Sequence, residues 1–252
     1  MTGSSENSLY QLVLICACEN EFSGNGFLCG WADSDISYNG ECQAEEMGKY
    51  LLEKKIKFDV AFTSYLKRAI KTCHTILEQM GLHWIPVHKS WRMNARMYGI
   101  LEGCDKSKLA FHHGNEQIIA WTREFDIAPP PLSRDSRDHP IFENKYELLA
   151  KSIIPDTECL RDVHKRVLPF WCDEIVPAIK EGNRVLIVTH ESVLRALIKY
   201  LNEISDEIIA DINVPPCTPL VYEFNEHMRP IRYYYLTKEE QNKQQTNTLG
   251  HA

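Results

Sequence analysis

The sequence predicts an α/β fold, a mostly parallel sheet flanked by helices on both faces. Three observations carry that prediction. Val185 to Val188 is a continuous apolar, largely β-branched run between a charge and a polar turn, the mark of a strand buried on both faces. Leu12 to Ile15 and Phe58 to Thr63 read the same way. Stretches with apolar residues at helical spacing follow them, so strands and helices alternate along the chain.

Taken in order, residues 1–8 are polar and expected to be disordered, and a single domain is expected over 9–236. The first strand, Leu12 to Ile15, runs into Cys16-Ala17-Cys18-Glu19-Asn20 at its carboxyl end. Ligands of open α/β sheets bind at such ends. A Gly/Ser/Asn-rich loop, Ser23 to Gly30, leads to a helix from about Gly40 to Lys54 with Ala44, Met47 and Leu51 on one face. After the second strand, Phe58 to Thr63, a helix spans about Tyr65 to Met80, with Leu66, Ala69, Ile70, Cys73 and Ile76 as its apolar face and Arg68 one turn in. Trp84 to Val87 reads as a third short strand, Trp91 to Gly103 as a loop, and Asn115 to Phe125 as a helix carrying Arg123.

Residues 132–156 are polar, charged and Pro-punctuated, as in a lid or surface insertion. Glu158 to Ile179 is a long amphipathic helix interrupted at Pro169 and Pro177. Next comes the central unit: strand Val185 to Val188, His190 at its carboxyl end, then a helix from Ser192 with Val193, Leu194, Ala196, Leu197, Tyr200 and Leu201 as its apolar residues. Free N–H groups at such a helix start favour an anion. The bland alternative for His190 is a hydrogen-bonded turn histidine. A short helix from Ser205 to Ile212 and closing strands at Leu220 to Phe224 and Ile231 to Tyr235 complete the domain, and the polar tail 237–252 is expected to be flexible.

Composition narrows the function classes. A net charge of −7 with no basic run argues against a nucleic-acid surface. No apolar run approaches the roughly 18 residues of a membrane span, and the start MTGSSENSLYQ lacks the regions of a secretory signal, so a cytoplasmic protein is expected. Nine cysteines, an odd number in a chain of 252, read as reduced thiols rather than a disulfide framework. No metal site is expected: no C-x-x-C pair occurs, and Cys16 and Cys18 on a strand would share a face without a second ligand pair.

Arg68, Arg96, Lys106, Arg123 and His190 fall at strand ends and helix starts. Their convergence would make a small-anion pocket, although a single Arg is more often a solvated charge. Longer segments decide the matter: Gly30-Trp31, FDVAFTSYLKRAIKT (58–72), WRMNARMYG (91–99), APPPL (128–132), LPFWCDEIVPAIKEGNRVLIVTH (168–190) and PLVYEF (219–224). In these the sequence resembles the cofactor-dependent phosphoglycerate mutases of the histidine phosphatase superfamily, from Leu12 to about Tyr235. The resemblance implies that family's fold, a homodimer, and phosphoryl exchange between a histidine and phosphoglycerates primed by 2,3-bisphosphoglycerate. It also implies substrate or phosphate contacts for Gly30, Arg68, Arg96, Tyr98, Lys106, Arg123 and His190.

The same resemblance removes the catalyst. Where the family has Arg-His-Gly-Glu, this chain has Cys16, Ala17, Cys18 and Glu19, so Ala17 stands at the phosphorylated histidine. A methyl group cannot accept a phosphoryl group. Ala95 stands at the glutamate that serves as proton donor and acceptor, and Glu191-Ser192 replace Gly-Asn beyond the second histidine. A thiolate nucleophile at Cys16 or Cys18 is disfavoured because no Cys-x₅-Arg spacing begins at either residue, and both read better as small buried side chains.

Three readings follow. The favoured one is a pseudoenzyme that keeps affinity for a phosphorylated metabolite, or pairs with an active mutase subunit. A second is an active 2,3-bisphosphoglycerate-dependent mutase, or a phosphatase, working by an altered mechanism. A third is a scaffold with an empty pocket. No cofactor is expected, since the family's 2,3-bisphosphoglycerate needs an acceptor absent here.

Overall fold

Alternating burial along the first strand sets the layers. In β1 (Tyr10–Cys16), Leu12, Leu14 and Cys16 pack on one face of the sheet while Val13 and Ile15 pack on the other. The computed structural model describes residues 9–236; the readings of 1–8 and 237–252 fall outside the described residues. Strands β2 (Val60–Thr63), β3 (Val87–Lys89), β4 (Val185–Thr189), β5 (Pro219–Phe224) and β6 (Pro230–Tyr235) complete a six-stranded sheet in the order β3-β2-β4-β1-β5-β6. The pairs β1–β4, β2–β4 and β2–β3 are parallel, and β5 and β6 add antiparallel at the β1 side. Central position explains the unbroken apolar run of β4, which is buried throughout.

The helices are α1 (Glu21–Gly24), α2 (Tyr38–Glu53), α3 (Lys67–Gln79), α4 (Lys106–His113), α5 (Asn115–Arg123), α6 (Leu160–Phe170), α7 (Val176–Lys180) and α8 (Glu191–Leu201). Leu160, Val163 and Val167 of α6 join Val193, Leu194 and Leu197 of α8 over one sheet face. Ala44 and Leu51 of α2 join Cys73 and Ile76 of α3 over the other. The expected mostly parallel α/β fold, with helices on both faces, is therefore the one observed.

Several local readings change. The long helix splits into α6, a π-helical turn at Trp171–Ile175, and α7, because Pro169 and Pro177 lack the N–H that a continuous ladder requires. The third strand is Val87–Lys89, not Trp84 to Val87: Trp84 is 74% exposed, and the ladder to β2 begins only at Val87. Helix α4 escaped the sequence reading; the side chain of Asp105 caps it by accepting N–H bonds from Ser107 and Lys108. The expected helix from Ser205 to Ile212 is one 3₁₀ turn, Ile208–Ala210. The 132–156 stretch winds through three 3₁₀ turns and buries Tyr146 and Ile154 against Trp31 and Met97.

Two cysteine readings are corrected. Cys18 and Cys217 form a disulfide, so the thiols are not all reduced. Cys16 and Cys18 do not share a face, because β1 ends at Cys16 and the turn beyond carries Cys18 into the opposite core. Among the described residues no helix is long and apolar enough to cross a membrane, and no cluster of His, Cys, Asp and Glu is arranged to hold a metal ion.

Candidate functional site

Parallel β1 and β4 end side by side, Cys16 opposite Thr189, and the residues that follow them form the floor of a cavity of about 420 Å³. Cys16, Ala17, Cys18 and Glu19 come from the first strand end, and His190, Glu191 and Ser192 from the second. Arg68, Ala95, Tyr98 and Lys106 enter from the surrounding loops and helix starts, and Val214 and Pro216 close another side. Of the residues singled out in the sequence, Ala17, Arg68, Ala95, Tyr98, Lys106 and His190 thus line one cavity, as do Cys16 and Cys18.

His190 is the N-cap of α8 and is buried. Its Nε2 atom lies 2.9 Å from Ser64 Oγ, which also accepts the N–H of Leu66. Burial, then the positive charges of Arg68 and Arg166, hold its pKa well below the usual 6.5, so the ring is neutral at physiological pH. Burial, followed by the charge of Glu191, pushes the Cys16 thiol up to about 12. It therefore keeps its proton and is a poor nucleophile. Among the described residues, His190 is the only histidine in the lining.

Arg68 is buried and spends much of its fork on backbone: Nη1 donates to Ala32 O and Nη2 to Gly30 O. Gly30 stands behind the cavity rather than in its lining. Its N–H, with those of Trp31, Ala32 and Tyr98, points at the carboxylate of Glu102. Burial raises the Glu102 pKa against the N–H groups of Tyr98, Ala32 and Trp31 and the charge of Arg68.

Arg96 and Arg123 also lie outside the lining. Arg123 donates to the carbonyls of Ala210 and Ile212, and its Nη1 lies 3.5 Å from Glu191 Oε1. Arg96 is fully buried, and its backbone N–H donates to the cavity residue Ser192. Its guanidinium sits 6.0 Å from the Tyr98 ring centroid and Nη1 donates to Trp121 O, while Nε and Nη2 have no partner. Next to it lies buried Arg195, brought down to about 10 by burial and then by Arg96 itself. Two guanidinium groups thus lie side by side in the interior, and that of Arg96 keeps two unmet donors.

Sequence reasoning missed four supporting groups. Ser64 orients His190, and Ser192 anchors the loop at Arg96. Arg166 and Glu158 form a buried pair, Nε to Oε1 at 2.6 Å, from which Arg166 also holds the carbonyls of Arg92 and Ala95. A readable signal existed only for Arg166: a charge interrupting the apolar face of a helix.

A model of the histidine phosphatase superfamily (branch 1) matches residues 12–139 and 135–237. The chain belongs to the histidine phosphatase superfamily. Solved structures share its fold. A mycobacterial glucosyl-3-phosphoglycerate phosphatase in complex with VO3 is 16% identical with a TM-score of 0.68, over 90% of this chain and 98% of that one. The alpha-ribazole phosphatase of Shigella flexneri is 22% identical with a TM-score of 0.62, over 86% and 91%. The YhfR protein of Bacillus stearothermophilus is 20% identical with a TM-score of 0.64, over 87% and 93%.

Proposed function

We propose that this chain is a phosphoglycerate-mutase-like pseudoenzyme that binds a small phosphorylated acid and does not turn it over. Ala17 carries the reading: it lines the cavity floor at the position the resemblance gives to the phosphorylated histidine. Its neighbours offer no replacement, since Cys16 holds its proton and the Nε2 of His190 is engaged with Ser64 Oγ. Ala95 brings no proton donor to the position of the family's acid. The residues do not fit 2,3-bisphosphoglycerate as a phosphoryl donor, and no transfer step is assigned to it.

Binding is supported by Arg68 and Lys106 in the lining and by the start of α8. Glu19 and Glu191 work against it, so the affinity is modest. Pairing with a second copy or an active mutase subunit in the cytoplasm is the accompanying proposal, tested by the mass of the complex in solution.

The test is to incubate purified protein with 3-phosphoglycerate or labelled 2,3-bisphosphoglycerate. The reading expects a raised melting temperature with no covalent label. Stable label on the protein supports the alternative, an active mutase with an altered mechanism, and contradicts this one. No rise with either ligand contradicts the binding half and leaves a scaffold.

A further inference from the structure

The disulfide between Cys18 and Cys217 lies in the wall of the candidate cavity. The two Cα atoms are 4.8 Å apart and the residues 199 positions apart in sequence. Cys18 lines the cavity just beyond β1, and its N–H donates to Thr72 Oγ1 of α3. Cys217 ends the segment whose Val214 and Pro216 form another side of the same cavity. Its own N–H donates to Cys16 O, and Pro216 bridges to Cys16. One covalent link therefore ties the floor to the wall.

Backbone geometry sets this pair apart. Cys217 has φ of 49°, in the left-handed region where glycine is favoured and a side chain is disfavoured. A cysteine is kept in an unfavourable conformation opposite another cysteine, and local outliers of this kind cluster at sites with a task. Cys16, 29, 42, 73, 104, 159 and 172 remain unpaired, so pairing is particular to these two. Exchange with the neighbouring Cys16 is obstructed, because Cys16 packs into the core on the other face of the sheet.

We propose that Cys18 and Cys217 are a reversible thiol–disulfide clasp on the cavity wall, closed by a peroxide and opened by a dithiol. In the closing step the thiol of Cys217, the more exposed of the two, takes oxygen from the peroxide to give a sulfenic acid and one water. The Cys18 sulfur then displaces hydroxide from it, the S–S bond forms, and a second water leaves. Two S–H bonds are lost, and the two electrons and two protons end in the two waters. In the opening step one thiolate of a dithiol attacks the disulfide, and its second thiolate resolves the mixed disulfide; the reagent is oxidised and both cysteines are reduced. With the clasp open, the 214–217 wall is held to the end of β1 by the Cys16 bridge and hydrogen bond and by apolar packing, with no covalent link. Cys16, which lines the cavity beside that wall, then becomes more accessible.

The test uses the full chain, one half treated with hydrogen peroxide and the other reduced with dithiothreitol and desalted. Both are labelled under native conditions with iodoacetamide and mapped by peptide mass spectrometry. The proposal expects a Cys18–Cys217 linked peptide in the oxidised half and its disappearance in the reduced half. It expects Cys16 to label about tenfold faster in the reduced half, as local opening becomes easier, and the melting temperature to fall by roughly 5 °C or more. The double variant Cys18→Ala/Cys217→Gly, which also relieves the left-handed backbone, should behave like the reduced protein under both treatments. Should that variant not fold, Cys217→Ser in the same labelling experiment takes its place. Free Cys18 and Cys217 after peroxide, a different pairing, or equal Cys16 labelling in both halves overturns the proposal. None of these readouts involves a ligand, so the result stands apart from whether the cavity binds an anion.

Discussion

His190 Nε2 and Ser64 Oγ share a buried hydrogen bond of 2.9 Å across 126 positions of sequence. It joins the end of β4 to the turn after β2 and fixes what is, among the described residues, the one imidazole that faces the cavity.

That imidazole makes stability depend on pH. Its folded-state pKa is depressed well below the 6.5 of an unfolded chain, so between those values the unfolded state binds the extra proton. Stability is complete above pH 6.5 and falls as pH drops through the window towards the folded-state value. His74 and His164, also held down by burial, add the same sign. Melting curves from pH 8 to 5 should therefore show a shallower acid decline in His190→Asn than in the parent; identical declines would contradict the assignment.

The Arg166–Glu158 pair holds the loop that carries Ala95, Arg96 and Tyr98. Glu158→Gln leaves a buried guanidinium without its counter-charge and should cost about 3–5 kcal/mol in urea unfolding. Replacing both partners with apolar residues of similar volume should cost less than the sum of the single changes.

Gly30 has a steric reason to be glycine. A Cβ there would overlap the Glu102 carboxylate and come within 2.5 Å of Arg96 O. Gly30→Ala should destabilise by about 1–3 kcal/mol and loosen the four N–H bonds to Glu102. A change below the error of chemical denaturation would mean that the loop shifts freely.

Glu191 opposes a bound anion from the cavity wall while pairing weakly with Arg123. Its partial exposure screens the effect, so Glu191→Gln should tighten vanadate or phosphoglycerate binding by roughly fivefold, about 1 kcal/mol. Calorimetry at fixed ionic strength reads it directly, and weaker binding in the variant would show that Glu191 positions Arg123 rather than repelling the ligand.

Strands buried on both faces were the most legible part of the fold, because VLIVT and LVLI have no other comfortable environment. Edge strand β3 was displaced in the reading, since an exposed Trp84 mimics the apolar start of a strand. Helix α4 was hidden because only Leu109 of its eight residues is buried; Asp105 was the signal to read. At the site, the family resemblance located the cavity floor, but two properties depend on residues far apart in sequence. The pairing of Cys18 with Cys217 and the Ser64–His190 bond arise only when the sheet closes. No local pattern announces them.

The most direct test of the central claim is a coupled assay for conversion of 3-phosphoglycerate to 2-phosphoglycerate with 2,3-bisphosphoglycerate present, run on purified wild type beside His190→Ala. A cavity with Ala17 and Ala95 in place of nucleophile and acid should give the same background trace in both. Wild-type turnover that disappears in His190→Ala would mean that another group accepts the phosphoryl, and the pseudoenzyme account would be wrong.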